Sequence, residues 1–202
     1  MKRYKYHIGD LTDSEYKKWY SLMSAEKQRR VDGFRFVEDK KLTVCGEMLA
    51  RKAVSEQCGV APESIIFGIR EHGKPYAENL PAEFSISHSG NMAVCAVNDT
   101  PVGIDIEQIR PVNLTVAKRI CTDEELLYLF SRKPTEQDFT YTDDAEILTR
   151  FFEIWTLKEA YGKCSGYGLF GKATVKAHSE FFYDIDGYIE CLSVQIPDNG
   201  QS

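Results

Sequence analysis

The hexapeptide Val102-Gly-Ile-Asp-Ile-Glu107 constrains the fold more than any other stretch. In an extended strand successive side chains alternate faces. Ile104 and Ile106 would then enter the core, while Asp105 and Glu107 would project together on the other face. Two neighbouring carboxylates repel unless a cation lies between them. Mg²⁺ takes hard oxygen ligands, often one or two carboxylates plus waters and a substrate phosphate. An edge strand carrying two solvated acids satisfies the same spacing, and spacing alone favours that simpler reading.

The surroundings predict an α+β chain. Residues 2–8, 65–71, 83–87, 92–98 and 102–107 read as strands, with Ser-Gly-Asn at 89–91 as a turn. Helical spacing covers 14–30 and 41–57, the latter with Leu42, Cys45, Met48, Leu49 and Ala53 as an apolar stripe and Gly59 placed to end it. Arg110-Pro111 breaks the pattern. After it, 114–120 looks helical, Thr122-Asp-Glu-Glu125 forms a capping box that opens a helix to 130, and 150–163 is a strong helix. The polar stretch 131–147 reads as a mobile loop, and 173–177, 181–185 and 188–196 as strands. The expected division is 1–109 and 110–202, the second half either lacking a final strand or cut short at its end.

Composition closes off other classes. The chain has 202 residues and a net charge of −6, which opposes general nucleic-acid binding while leaving room for a local cationic cluster that takes a small anion. No stretch is long and apolar enough to span a bilayer. The N-terminus, Met-Lys-Arg-Tyr-Lys-Tyr, is basic but lacks the apolar core of a secretory signal. Six cysteines, none in a CxxC pair or zinc spacing, sit mostly in apolar segments, so a reduced cytoplasmic setting is expected.

Four further segments could carry chemistry. In Trp155-Thr-Leu-Lys-Glu-Ala-Tyr-Gly-Lys163, Glu159 and Lys163 share a helix face, either as a metal ligand or base beside a phosphate clamp, or as an ordinary stabilising pair. In Phe84-Ser-Ile-Ser-His-Ser-Gly90, Ser87 and His88 could donate to a phosphate; the GxSxG elbow of hydrolases is absent. His72-Gly-Lys-Pro75 fixes a turn and holds Lys74 out from it. Lys27, Arg29, Arg30 and Arg35 form a basic run. There is no P-loop and no GxGxxG.

Taken together these segments resemble the 4′-phosphopantetheinyl transferase superfamily, in its surfactin-synthetase-activating (Sfp) type. Gly103-Ile-Asp105-Ile-Glu107 and Trp155-Thr-Leu-Lys158-Glu159-Ala-Tyr-Gly-Lys163 match its two signature motifs. Ser-Ala-Glu-Lys at 24–27, Gly-Lys-Pro at 73–75 and Ile-Ser-His-Ser-Gly at 86–90 appear in the family's order. The resemblance runs from about residue 1 to residue 175. It implies two similar α+β halves related by a pseudo-two-fold axis, with the active site in the cleft between them. It further implies a monomer that moves the phosphopantetheine arm of coenzyme A onto a serine of an acyl, peptidyl or polyketide carrier protein. By the same resemblance, Asp105, Glu107 and Glu159 hold Mg²⁺, with Mn²⁺ as an alternative ion. Lys163 contacts the diphosphate, and Lys27, Arg30 and His88 face the 3′-phosphate. Thr43, Lys74 and Ser87 complete the nucleotide site. Glu159 is the candidate base for the serine proton, in competition with its role as ligand. Arg30 stands where relatives often carry Lys, which keeps the charge. A non-catalytic coenzyme A-binding module and a metal-dependent phosphoesterase are the competing functions. Lys118 and Arg119, near Leu114 and Val116, are a candidate docking patch for an acidic carrier.

Overall fold

The computed structural model describes residues 1–166, 168 and 177–195. β1 (Lys2–His7) is followed by α1 (Asp13–Ser21), α2 (Ala25–Asp32) and the long α3 (Val37–Cys58). A short hairpin of β2 (Phe67–Ile69) and β3 (Pro75–Ala77) precedes β4 (Glu83–Ser89), β5 (Met92–Asn98) and β6 (Val102–Gln108). Then come β7 (Val112–Asn113), α4 (Ala117–Ile120), α5 (Asp123–Phe130), β8 (Tyr141–Thr142), α6 (Ala145–Ser165), β9 (Ala177–Phe182) and β10 (Tyr188–Gln195).

Among the described residues two antiparallel three-stranded sheets form the framework, in the orders β1-β5-β4 and β6-β10-β9. β5 is buried on both faces. Ala93, Cys95 and Val97 join the core under α3, while Met92, Val94 and Ala96 meet Val102, Ile104, Ile106 and Leu192 between the sheets. α6 covers the outer face of the second sheet. The fit there is tight: a Cβ on Gly103 would stand 1.9 Å from the Ala160 carbonyl oxygen and 2.4 Å from the Cys164 amide nitrogen. Gly is the residue that lets strand and helix backbones approach this closely.

The alternation expected of β6 is present. Ile104 and Ile106 face the inter-sheet core, and Gly103, Asp105 and Glu107 face the other way. Asp105, however, is only 4% exposed, which rules out a solvated edge acid. β6 does lie at the margin of its sheet. Its free side is covered by β4, through serine hydroxyls in place of a backbone ladder: Ser85 Oγ accepts the Ile104 amide at 3.1 Å, and Ser89 Oγ accepts that of Gln108 at 3.1 Å.

Several boundaries differ from the sequence expectation. The helix expected over 14–30 is two helices, because Ser24 caps α2 by accepting the Lys27 amide. The strand expected over 65–71 shrinks to Phe67–Ile69. Segment 131–147 is pinned as well as polar: Arg132 pairs with Asp138, Lys118 with Glu136, and β8 ladders to β7. α6 starts at Ala145 because Asp144 accepts the amides of Glu146 and Ile147. The strand expected at 181–185 lies at Ala177–Phe182 and gives way to a turn. The expected strand at 173–177 falls outside the described residues except for its last position, and so does the end of 188–196. The Thr122–Glu125 capping box and the left-handed Gly59 after α3 are as expected. Five of the six cysteines are buried and Cys58 is partly so, and none is in a disulfide.

Candidate functional site

The acids of β6 meet α6. Lys163 Nζ donates to Asp105 Oδ1 at 2.7 Å and to Ser87 Oγ at 2.9 Å, while Ser87 Oγ donates to the same Asp105 oxygen at 2.7 Å. The other oxygen, Asp105 Oδ2, is buried with no hydrogen-bond partner. Leaving a buried carboxylate oxygen unpaired is costly, so such an atom calls for a cation or donor. Ser89 Oγ donates to Glu107 Oε2 at 2.9 Å, and Arg110 lies 3.8 Å from the same oxygen.

The third acid, Glu159, is half-buried on the helix turn before Lys163. Burial pushes its carboxyl above the usual range, and the charge of Asp105 adds to that. Lys163 opposes the shift, and Glu107 adds a further upward push. Burial and the charge of Asp105 raise Glu107 likewise, against the pull of Ser89, Arg110 and the Trp155 indole. Glu159, distant in sequence from Asp105 and Glu107, thus shares their electrostatic neighbourhood. Among the described residues no three His, Cys, Asp or Glu side chains converge tightly enough to ligate one ion as they stand. The cation in contact with Asp105 is the Lys163 ammonium.

Beside this seam lie two adjoining pockets that share Gly73, Pro75 and Ile86 in their walls. The larger, of about 630 Å³, is lined by Lys27, Arg30, Thr43 and His88, with Phe67 and Ile69 on its apolar side. Arg30 and His88 are exposed, and Thr43 is half-buried, its hydroxyl donating to the Asp39 carbonyl at 2.9 Å. Partial desolvation, then the positive charge of Lys163, lower the pKa of His88; Asp39 opposes this. The smaller pocket, of about 270 Å³, is lined by Lys74 and Lys163 together with His72 and Ser85.

Lys74 does not stand out from its turn. Gly73, at φ +82°, closes the hairpin, and the lysine folds inward, donating to the Val102 carbonyl at 3.1 Å with Glu83 at 3.7 Å. Burial lowers its pKa, and Glu83 offsets part of that. Lys158, next to Glu159 in sequence, points elsewhere: it is buried against Glu125 of α5 at 3.0 Å. Of the expected docking patch, Leu114 is buried and Val116 half-buried in the second core, Lys118 is engaged with Glu136 and the Phe139 ring, and Arg119 is exposed.

Sequence reasoning picked out Ser87 and missed Ser85 and Ser89, although the period-two serines of Ser85-Ile-Ser-His-Ser89 put all three on one face of β4. It also missed Glu47 and Arg51, which line the larger pocket. Spaced i,i+4, they look like an ordinary surface pair, yet both are buried, with Arg51 Nε 2.8 Å from Glu47 Oε1.

This α+β chain thus places three acids and a lysine on one seam, next to a pocket lined by Lys27, Arg30 and His88. The chain belongs to the 4′-phosphopantetheinyl transferases. A family model described as 4′-phosphopantetheinyl transferase, N-terminal, matches residues 10–100, and one described as the 4′-phosphopantetheinyl transferase superfamily matches residues 101–184. A 4′-phosphopantetheinyl transferase of Bacillus subtilis is 36% identical over 200 residues, covering 98% of this chain and 82% of that protein. The 4′-phosphopantetheinyl transferase Sfp of Bacillus subtilis strain 168 is 33% identical, covering 98% and 83%. The transferase HetI of a Nostoc species is 33% identical, covering 79% and 66%. No helix among the described residues is long and apolar enough to cross a membrane.

Proposed function

We propose that this protein transfers the 4′-phosphopantetheine group from coenzyme A to a serine hydroxyl of an apo carrier protein, releasing adenosine 3′,5′-bisphosphate. The observation that carries this reading is the Ser87–Asp105–Lys163 contact, with Glu107 and Glu159 in electrostatic reach and a basic pocket alongside. The orphaned Asp105 Oδ2 and the raised carboxyls of Glu107 and Glu159 fit a divalent cation, because a metal would satisfy the first and favour ionisation of the others. Asp105, Glu107 and Glu159 are the residues that would hold Mg²⁺, or Mn²⁺ in its place. When bound, the ion supplies Lewis acidity and charge neutralisation for the diphosphate.

The chain's own residues do the rest. Lys163 moves its donors from Asp105 to a diphosphate oxygen. Lys27, Arg30 and His88 take the 3′-phosphate in the larger pocket, with Thr43 in its wall, and Lys74 and Ser87 complete the nucleotide site. Phosphoryl transfer depends chiefly on positioning and electrostatic stabilisation, which fixed ammonium and hydroxyl donors provide. Glu159 is also the candidate for the acceptor serine's proton, a role that competes with holding the ion, because a bound cation favours the ionised carboxylate and weakens it as a base.

We read the chain as two similar halves, 1–109 and 110–202, with the site in a cleft between them. Supporting this, β1-α1-α2-α3-β4-β5 and β6-α4-α5-α6-β9-β10 repeat strand, helices, long helix and hairpin with matching sheet orders, β1-β5-β4 and β6-β10-β9, a repeat that counts β6 with the second set although it precedes residue 110. β6, the last strand before the Arg110-Pro111 break, joins them: it ladders to β10 and packs on β4. A monomer working in the cytoplasm suits this arrangement and the mostly buried cysteines, none of which is in a disulfide.

Incubating the protein with coenzyme A and Mg²⁺, with and without an apo carrier, tests the reading. Adenosine 3′,5′-bisphosphate should be released only when the carrier is present. Release without carrier would make the protein a phosphoesterase, and binding without release a coenzyme A-binding module.

A further inference from the structure

The larger pocket, proposed above for a 3′-phosphorylated nucleotide, contains a buried anion. Glu47 is 2% exposed in α3, and its side chain forms part of the same wall as Lys27, Arg30, Thr43 and His88. A carboxylate beside a phosphate site lowers the local positive potential, so its presence needs a compensating role.

Its contacts supply one. Glu47 Oε2 accepts from Lys27 Nζ at 2.6 Å, and Oε1 accepts from Arg51 Nε at 2.8 Å. Arg51 is in turn held by three backbone carbonyls, donating to Leu22 at 2.7 Å, Pro62 at 2.8 Å and Ile65 at 2.9 Å, with its guanidinium 5.0 Å from the Phe67 ring centroid. Glu47 and Arg51 therefore make a rigid post on α3. It is tied to the loop before α2 and to the segment entering β2, and both contribute to the pocket wall. Lys27 stands on α2, a helix of eight residues. An ammonium has three donors, and only one is directed at Glu47. Left untethered, a four-carbon lysine stem samples many rotamers, and ordering it on ligand binding costs entropy.

We propose that Glu47 is a positioning residue. It holds the Lys27 ammonium at a fixed point of the pocket, so that its remaining donors meet the ligand's terminal 3′-phosphate, and it thereby sets selectivity for coenzyme A over 3′-dephospho-coenzyme A. This rests on the placement of the 3′-phosphate at Lys27. The Glu47 carboxylate opposes an incoming phosphate, and prior fixation of Lys27 outweighs that opposition. Arg51 neutralises part of the Glu47 charge, which reduces what must be outweighed.

Calorimetric Kd values for coenzyme A and for 3′-dephospho-coenzyme A, on the whole protein and without acceptor, test this. Glu47→Gln keeps the shape and an acceptor for Arg51 but presents Lys27 with a donor. It should weaken coenzyme A about tenfold, in line with the loss of one hydrogen bond to a charged group, and leave the dephospho ligand within about twofold. Glu47→Asp keeps the charge for Arg51 while drawing back from Lys27. It should show the same selective loss, and it keeps the test decisive if Glu47→Gln unfolds. In a Lys27→Met background neither change should cost more. Unchanged or tighter coenzyme A binding in the Glu47 variants, or equal weakening of both ligands, would overturn the proposal. If Lys27→Met itself leaves the discrimination intact, the placement of the 3′-phosphate at Lys27 is wrong, and the proposal goes with it.

Discussion

Lys163 Nζ stands 2.7 Å from Asp105 Oδ1, so α6 is bridged to β6 by an ion pair. Asp105 is 4% exposed and its second oxygen has no partner, while Lys163 keeps 28% of its side chain accessible. The pair is therefore lopsided: the lysine can swing to a ligand, and the carboxylate cannot leave. Asp105→Asn should abolish carrier modification, lowering kcat by at least ~100-fold, while circular dichroism and cooperative unfolding stay intact. Activity near that of the parent protein would remove Asp105 from the site.

Lys163→Met is expected to act on the diphosphate. It should weaken binding of coenzyme A and of adenosine 5′-diphosphate alike, whereas Lys27→Met should weaken only the ligand that carries a 3′-phosphate. Calorimetry on the two ligands checks the split.

Gly103→Ala tests the packing that presents the acids. The new Cβ would meet backbone on α6, which cannot rotate away as a side chain could. A loss of stability toward or beyond the upper end of the ~1–3 kcal/mol typical of overpacking is expected, read by urea unfolding. A neutral substitution would mean that α6 and β6 are not held this closely.

Asp184 accepts from Arg3 and Lys5, both at 2.9 Å, tying β1 to the β9–β10 turn. These bonds hold its carboxyl at about 2, below the usual aspartate range. A carboxylate with a depressed folded pKa contributes stability above its unfolded value of ~3.9. That contribution fades as pH falls from about 4 toward about 2. The site is largely exposed, so screening keeps it under ~1 kcal/mol. Asp184→Asn should be slightly less stable than the parent at pH 7, and the gap should close through that acid window. A gap as large at pH 2.5 as at pH 7 would contradict the assignment.

The strongly patterned parts of the chain were legible in its sequence. β5, β6, α3 and α5 follow from alternation, a helical stripe and a capping box, and they carry Asp105 and Glu107 to the right face. Boundaries set by a single side chain were harder to place. Ser24 splits one helical pattern into two, and Asp144 starts α6 early. Long-range burial left no local mark: Glu47 and Arg51 resemble a solvent-facing pair until the segments at 22 and 62–65 close over them. The inward fold of Lys74 depends on a carbonyl of β6 and on Glu83, which local turn chemistry does not specify.

The most direct test is the intact mass of an apo carrier protein after incubation with this protein, coenzyme A and Mg²⁺, run across fatty-acid, polyketide and peptide-synthetase carriers. The account predicts a carrier heavier by one phosphopantetheine, with the gain lost on chelation of the metal and in Glu159→Gln. No mass gain on any carrier, with the protein folded and coenzyme A bound, would contradict it.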